Sequence, residues 1–270
     1  MTVRRLVVNA DDFGFTADVN EGIVYAHRAG ILTAATLMAN GGAFEDAVRR
    51  ARETPSLDIG CHLVLIGGRS LLASGHELPR SAPELLGALV RGRIHPYAEL
   101  RAQILKIIAA GIQPTHLDTH KHTHLAPPVL DAVARLAQEF GIWWVRRPFD
   151  LPLTGIPAPR TTRALSRSME LLRRRFHRVL ERHGCKTTDH FAGFQLTGRF
   201  RTRELLQLIR GLPEGATEFM CHPGFCRGEL RQAPTRLKES REEELRALTA
   251  PETRSGLDEA GVRLTSYRAL

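Results

Sequence analysis

An apolar run near the start of the chain, Leu6-Val7-Val8-Asn9-Ala10, ends in two adjacent acids, Asp11 and Asp12, followed by Phe13-Gly14. Neighbouring like charges repel, and a buried strand has no structural reason to finish on them unless a cation or a proton-transfer task uses them. A solvated turn that caps the next helix is the competing reading of the doublet. Stretches further along weigh against it.

The densest of these is Thr115-His116-Leu117-Asp118-Thr119-His120-Lys121-His122-Thr123-His124. Strand alternation puts His116, Asp118 and His120 on one side. At ~3.3 Å per residue, His116 and His120 stand about 13 Å apart, so they cannot share one ion. His116 is therefore expected as a hydrogen-bonded core residue. At least one of His120, His122 and His124 is expected to ligate a metal, the alternative being a solvated polar loop. One carboxylate with two histidines makes an open site, leaving positions for water and a substrate oxygen. Such a set suits Zn²⁺, Mn²⁺, Fe²⁺ or Co²⁺, and Mg²⁺ less comfortably. The other acid of the doublet is then free to act as base. His222, on the turn His222-Pro223-Gly224, could supply a proton to a leaving group.

Stepping along the chain gives the elements that must hold these groups. Helices are expected over residues 17–29, 42–52, 83–90, 97–110, 128–140, 162–183, 202–210, 240–248 and 251–259. Strands are expected over 33–39, 57–65, 115–119, 142–145, 187–189, 217–221 and 262–265. In the long helix 162–183, Leu165, Met169, Leu172, Phe176, Val179 and Leu180 form one stripe, read as core-facing. Residues 67–83 and 148–159 are irregular loops, and long loops in compact folds are often functional. Phe149 is the one aromatic in them that could stack on a sugar.

Nearly every unusual polar group follows an apolar run. Asp11-Asp12 end the first, His62 lies within 57–65, and His120 follows 115–119. Arg146-Arg147 follow 142–145, His190 follows Thr188-Asp189, and His222 follows 217–221. In (β/α) barrels the C-terminal strand ends form one face, and active sites are built there. About seven strand–helix alternations favour a single domain, 1–270, with a parallel sheet closed or nearly closed into a barrel. A doubly wound open sheet is the alternative.

Composition sets bounds. The chain has 270 residues, 43% apolar and 25% charged, as in ordinary globular proteins. No apolar run approaches the roughly 20 residues that span a bilayer, and the first residues do not read as a signal peptide. A cytoplasmic protein is expected. Cys61, Cys185, Cys221 and Cys226 lack paired spacing and read as buried free thiols. Cys61 and Cys221 each precede a histidine, which leaves a thiolate metal site open. The net charge of +9 comes mostly from dispersed arginine. It is read as proteome bias, not as a nucleic-acid or membrane-surface function, although the arginines of 160–182 are the feature favouring that rival.

Asn9-Ala-Asp-Asp-Phe-Gly14, Ala35-Thr-Leu-Met38, Gly60-Cys-His62, residues 116–124 and Glu218-Phe-Met-Cys-His-Pro-Gly224 together resemble the YdjC family of carbohydrate deacetylases. The resemblance covers nearly the whole chain. It implies a distorted (β/α) TIM-like barrel of the glycoside hydrolase/deacetylase type and metal-dependent removal of acetyl from an N-acetylated sugar. It further implies Asp12, His62 and His120 as ligands of one divalent cation (Mg²⁺ or Zn²⁺), Asp11 as base, His222 as general acid, and a homodimer. Arg146 and Arg147 are similar to an arginine segment that orients the base in related deacetylases. They, His124 and Asp189 are expected to bind substrate or support the site. Another metal hydrolase on the same barrel, a phosphoesterase or a glycosidase, is the rival enzyme reading.

Overall fold

The structure is a computed structural model, and it describes residues 3–72, 75–153 and 155–270. In chain order the elements are β1 (Arg4–Phe13), α1 (Ala17–Ala29), β2 (Ala34–Leu37), α2 (Phe44–Arg52), β3 (Asp58–Leu63), α3 (Ala82–Val90), α4 (Pro96–Ala109) and β4 (His116–Thr119). A short 3-10 segment, His120–Leu125, leads into α5 (Pro127–Phe140) and β5 (Trp144–Val145). Then come α6 (Arg160–Glu170), α7 (Arg173–Arg182), β6 (His190–Ala192), α8 (Thr202–Arg210), β7 (Gly215–Cys221), α9 (Gly228–Gln232), α10 (Glu239–Thr249), α11 (Pro251–Glu259) and β8 (Val262–Leu264).

Every strand pairing is parallel, in the order β5-β4-β3-β2-β1-β7-β6, and β8 pairs with the first half of β1. The two outer strands curl toward one another. Single bridges, Trp144 to Lys186 and Asp150 to Phe191, link the two ends. The sheet is thus a distorted barrel, and the open doubly wound alternative is excluded by its strand order. Helices cover the outside, and the apolar core lies between them and the sheet. His116 sits inside, fully buried and stacked on Tyr267 with ring centroids 3.9 Å apart.

The helices start and stop for local reasons. The Thr16 hydroxyl accepts from Val19 N and caps α1. Pro127 opens α5, where a missing N–H costs nothing, and Gly141 ends it at φ 68°. Four expectations need correction. Residues 162–183 are not one helix, because a 3-10 turn at Leu171–Leu172 breaks it. Its stripe is only partly buried: Leu165 is 53% exposed and Leu172 38%. The sixth strand begins at His190, not at Thr187. Phe149 is 2% exposed and packs edge-on against Phe176, so it offers no platform for a sugar.

Among the described residues no helix is long and apolar enough to cross a membrane. All four cysteines are free, and Cys61, Cys221 and Cys226 are buried. Burial pushes the Cys61 and Cys221 thiols up, so neither offers a thiolate.

Candidate metal centre

Adjacent residues of a regular strand point to opposite faces, yet Asp11 and Asp12 both reach the mouth of the barrel. The cause is an irregularity in β1. Its register against β2 shifts between Ala10 and Phe13, and Asp12 takes a left-handed φ of 68°. A bulge of this kind re-aims a side chain at the cost of local strain. The same device recurs after β4, where Lys121 and His122 have φ of 55° and 52° and turn the chain sharply past His120. These are the three left-handed non-glycine residues described, and all lie at or beside the site.

Three side chains from β1, β3 and the end of β4 meet there. Asp12 Oδ1 lies 3.4 Å from His62 Nε2 and 3.4 Å from His120 Nδ1, and the two imidazole nitrogens are 3.2 Å apart. Ligand atoms about 2.0–2.1 Å from a tetrahedral Zn²⁺ stand about 3.3 Å from one another, so the triangle fits such an ion. An octahedral Mg²⁺ at the same bond length brings ligand atoms to about 3.0 Å and favours carboxylates over imidazoles.

Charge points the same way. Four buried carboxylates, Asp11, Asp12, Asp118 and Glu218, face two buried guanidinium groups, Arg146 and Arg241. One divalent cation would balance the deficit. The deficit also acts on His62: burial alone would lower it, but Asp118 and Asp11 raise it to about 10. Burial keeps the His120 ring below its ordinary value. Burial would raise Asp12, but Arg241 and the two histidines hold its carboxyl well below the ordinary range.

Asp11 stands beside this triangle in a different environment. Arg146 donates to both of its oxygens, Nη2 to Oδ1 at 2.7 Å and Nη1 to Oδ2 at 2.8 Å. Burial pushes the Asp11 carboxyl up to about 7, with Arg146 opposing it and Asp118 adding to it. Arg146 is fully buried at the end of β5, and its Nε donates to Glu218 Oε1 at 2.8 Å. A second triad, Asp11, His62 and Asp118, also comes close enough to hold an ion. The Arg146 guanidinium already serves two of its three members, so that position is filled by protein cation.

The remaining expected residues divide. His222 Nε2 is 3.8 Å from Asp11 Oδ2, and burial lowers the ring to about 3, leaving it neutral at rest. His124 is buried behind the site, with Nδ1 2.5 Å from Thr119 Oγ1 and Nε2 3.0 Å from the Arg146 carbonyl. It props the backbone that carries Arg146. Arg147 and Asp189 do not reach the cluster. Arg147 donates to the Asp189 carbonyl, and the Asp189 carboxylate accepts from Ala216 N at 2.8 Å, tying β6 to the start of β7. His190 opens β6, away from the mouth.

A family model described as YdjC-like protein matches residues 5–259. The chain belongs to the YdjC-like family. It is 36% identical over 273 residues to a carbohydrate deacetylase of Geobacillus stearothermophilus, covering 98% of this chain and 97% of that one. A human carbohydrate deacetylase is 33% identical over 294 residues, covering 96% of this chain and 89% of its own length. Among solved structures, a putative cellobiose-phosphate cleavage protein of Enterococcus faecalis superposes with a TM-score of 0.78 at 24% identity, covering 99% and 98% of the two chains. A lactam utilization protein of Thermus thermophilus gives a TM-score of 0.51 at 15% identity, covering 98% and 100%. The last two likenesses are of fold.

Three supporting residues of this YdjC-like chain escaped the sequence reading as parts of the site. Arg241 and Glu244 lie one turn apart on α10, and both are buried. Arg241 Nη2 donates to Asp12 Oδ2 at 2.5 Å. Glu244 accepts the backbone N–H of His222 at 2.5 Å and of Gly198 at 2.6 Å. The signal was available: positions 241, 244, 245 and 248 form the i, i+3, i+4, i+7 stripe of a buried face. Glu218, a lone acid inside a buried strand, carried a similar signal.

Proposed function

We propose that this protein is a metal-dependent carbohydrate deacetylase that hydrolyses the N-acetyl group of an N-acetylated sugar. Its catalytic unit is a single barrel domain, 1–270. The observation that carries the reading is the triangle of Asp12, His62 and His120 with an Arg-clamped carboxylate, Asp11, directly beside it. The name shared by the curated relatives supports it.

Asp12, His62 and His120 would hold one divalent cation, for which Zn²⁺ is the better fit and Mg²⁺ the alternative. When bound, that cation supplies Lewis acidity at the acetyl carbonyl and favours ionisation of a water. The remaining chemistry belongs to the chain. Arg146 fixes the Asp11 carboxylate in one orientation, and Asp11 takes a proton from the attacking water. The neutral His222 ring must receive the proton it delivers; Asp11, which gains one from the water, stands 3.8 Å from Nε2, and Glu244 stands 3.9 Å from Nδ1 on the other side. His222 then protonates the departing amine as the C–N bond breaks, leaving acetate and a free amino sugar. Homodimerisation and a cytoplasmic location are part of this proposal and rest on the family resemblance.

The test is a screen of N-acetylated sugars, chitooligosaccharides and glycolipids, reading free amine. On the substrate found, Asp11→Asn should lose about 10²–10⁴ in rate while keeping its metal, as expected for a lost general base. His62→Ala and His120→Ala should lose the metal itself. An Asp11→Asn enzyme that deacetylates at near wild-type rate would refute the assignment of the base. Two tightly held ions per chain would favour a phosphoesterase instead.

A further inference from the structure

We propose that the outer face of α6 and α7 docks this protein on an anionic lipid bilayer. Residues 160–182 carry eight arginines against two glutamates, a net charge of +6 within a chain whose total is +9. All eight are exposed. In their midst Leu171 is 84% exposed. Leu171 stands at the turn between α6 and α7, with Arg167 before it and Arg174, Arg175 and Arg178 after it, so the exposed leucine is flanked by guanidinium groups. Among the described residues no carboxylate forms an ion pair with those four, whereas Glu170 is paired with Arg173 at 3.3 Å. Leu165 and Leu172, 53% and 38% exposed, add apolar surface to the same segment.

The combination selects the partner. A nucleic acid would satisfy the arginines and leave Leu171 in water. An anionic bilayer takes both, with guanidinium groups among the headgroup phosphates and the leucine at the acyl boundary. A second copy of the chain on this face would set +6 against +6. The patch also lies near the mouth of the barrel. Leu172 and Phe176 share a crevice with Leu125 and Pro127, which directly follow the segment bearing His120 and His124. Docking there would hold the site beside the membrane surface.

The test is co-sedimentation of the purified full chain with two kinds of vesicle, pure phosphatidylcholine and phosphatidylcholine with added phosphatidylglycerol. Binding should require the anionic lipid and weaken steeply with salt. Leu171→Ser should weaken it about tenfold, as expected for withdrawing one leucine from an apolar phase. Arg174→Glu with Arg178→Glu should remove it. These positions are exposed, so thermal stability should be unchanged. The proposal is overturned by absent binding, by equal binding to neutral vesicles, or by unchanged binding of the Leu171→Ser variant. Self-association that buries this face in sedimentation velocity would overturn it as well.

Discussion

Asp118→Asn tests how the site prepares His62 to be a ligand. Asp118 is fully buried on β4, and its Oδ1 accepts from His62 Nδ1–H at 2.7 Å. In the neutral, metal-binding form of the ring that bond places the proton on Nδ1 and leaves the Nε2 lone pair facing Asp12 and His120. The other oxygen, Oδ2, is ion-paired with Arg146 Nη1 at 2.7 Å and accepts from Thr36 Oγ1 at 3.1 Å. An asparagine cannot serve both sides. With its oxygen toward His62, its NH₂ meets an Arg146 N–H donor head-on. Flipped, it donates to Nδ1 and moves the ring proton to Nε2, where a ligand lone pair is required. Losing an outer partner of this kind costs 10–100-fold in metal affinity, about 1.4–2.8 kcal/mol. Titration of Zn²⁺ into chelator-stripped protein, followed by calorimetry, reads this directly. Thr36→Val removes a hydroxyl 3.2 Å from His62 Nδ1 but leaves Asp118 Oδ1 to accept from Nδ1–H, and should change affinity less than about threefold. If a folded Asp118→Asn protein binds Zn²⁺ within about twofold of wild type, the tautomer argument is wrong.

Four further outcomes are expected. Chelator should abolish deacetylation, and Zn²⁺ should restore it more fully than Mg²⁺, as the 3.2–3.4 Å ligand spacing requires. Glu244→Ala, which strips the His222 and Gly198 N–H groups of their acceptor, should destabilise the fold by about 1–3 kcal/mol and lower turnover more than metal affinity, checked by denaturant melts and calorimetry. Gly22→Ala should displace the turn bearing His222, because a Cβ at Gly22 would stand 2.5 Å from Gly224 Cα; turnover should fall while metal content holds. Burial raises the Asp150 carboxyl to about 6 despite three backbone N–H donors, so the folded state disfavours its charged form relative to the unfolded chain. The margin of wild type over Asp150→Asn in thermal melts should therefore be greatest near pH 4 and shrink as the pH rises through 6.

The barrel was legible because parallel strands and crossover helices impose strong periodicities, and because polar residues at strand ends mark one face. The residues alone left the acid and the choice among His120, His122 and His124 open; it was the family resemblance that named Asp12, His62 and His120, and these three side chains do meet. The helix 162–183 was misread because helical spacing reports a common face but not whether anything packs on it; Leu165 sits in the stripe and faces water. Phe149 was misread because an aromatic in a Pro-rich stretch gives no sign of the Phe176 ring awaiting it. Asp189 looked like a site residue because the strand was placed three residues early, which moved it from the bottom of β6 to its top. Arg241 and Glu244 stayed hidden in the run Glu239-Ser-Arg-Glu-Glu-Glu244, where charge masks the buried stripe. Phe149, Arg241 and Glu244 were missed because their partners are distant in sequence, which local patterns do not encode.

Asp11 and Asp12 are chemically identical neighbours, but each answers to its own arginine, Arg146 from β5 and Arg241 from α10. Division of labour between twin residues is therefore written far from them, in two segments 95 positions apart in sequence. A designer transplanting the doublet alone into another barrel would obtain two interchangeable acids, and would have to bring both arginines along to tell them apart.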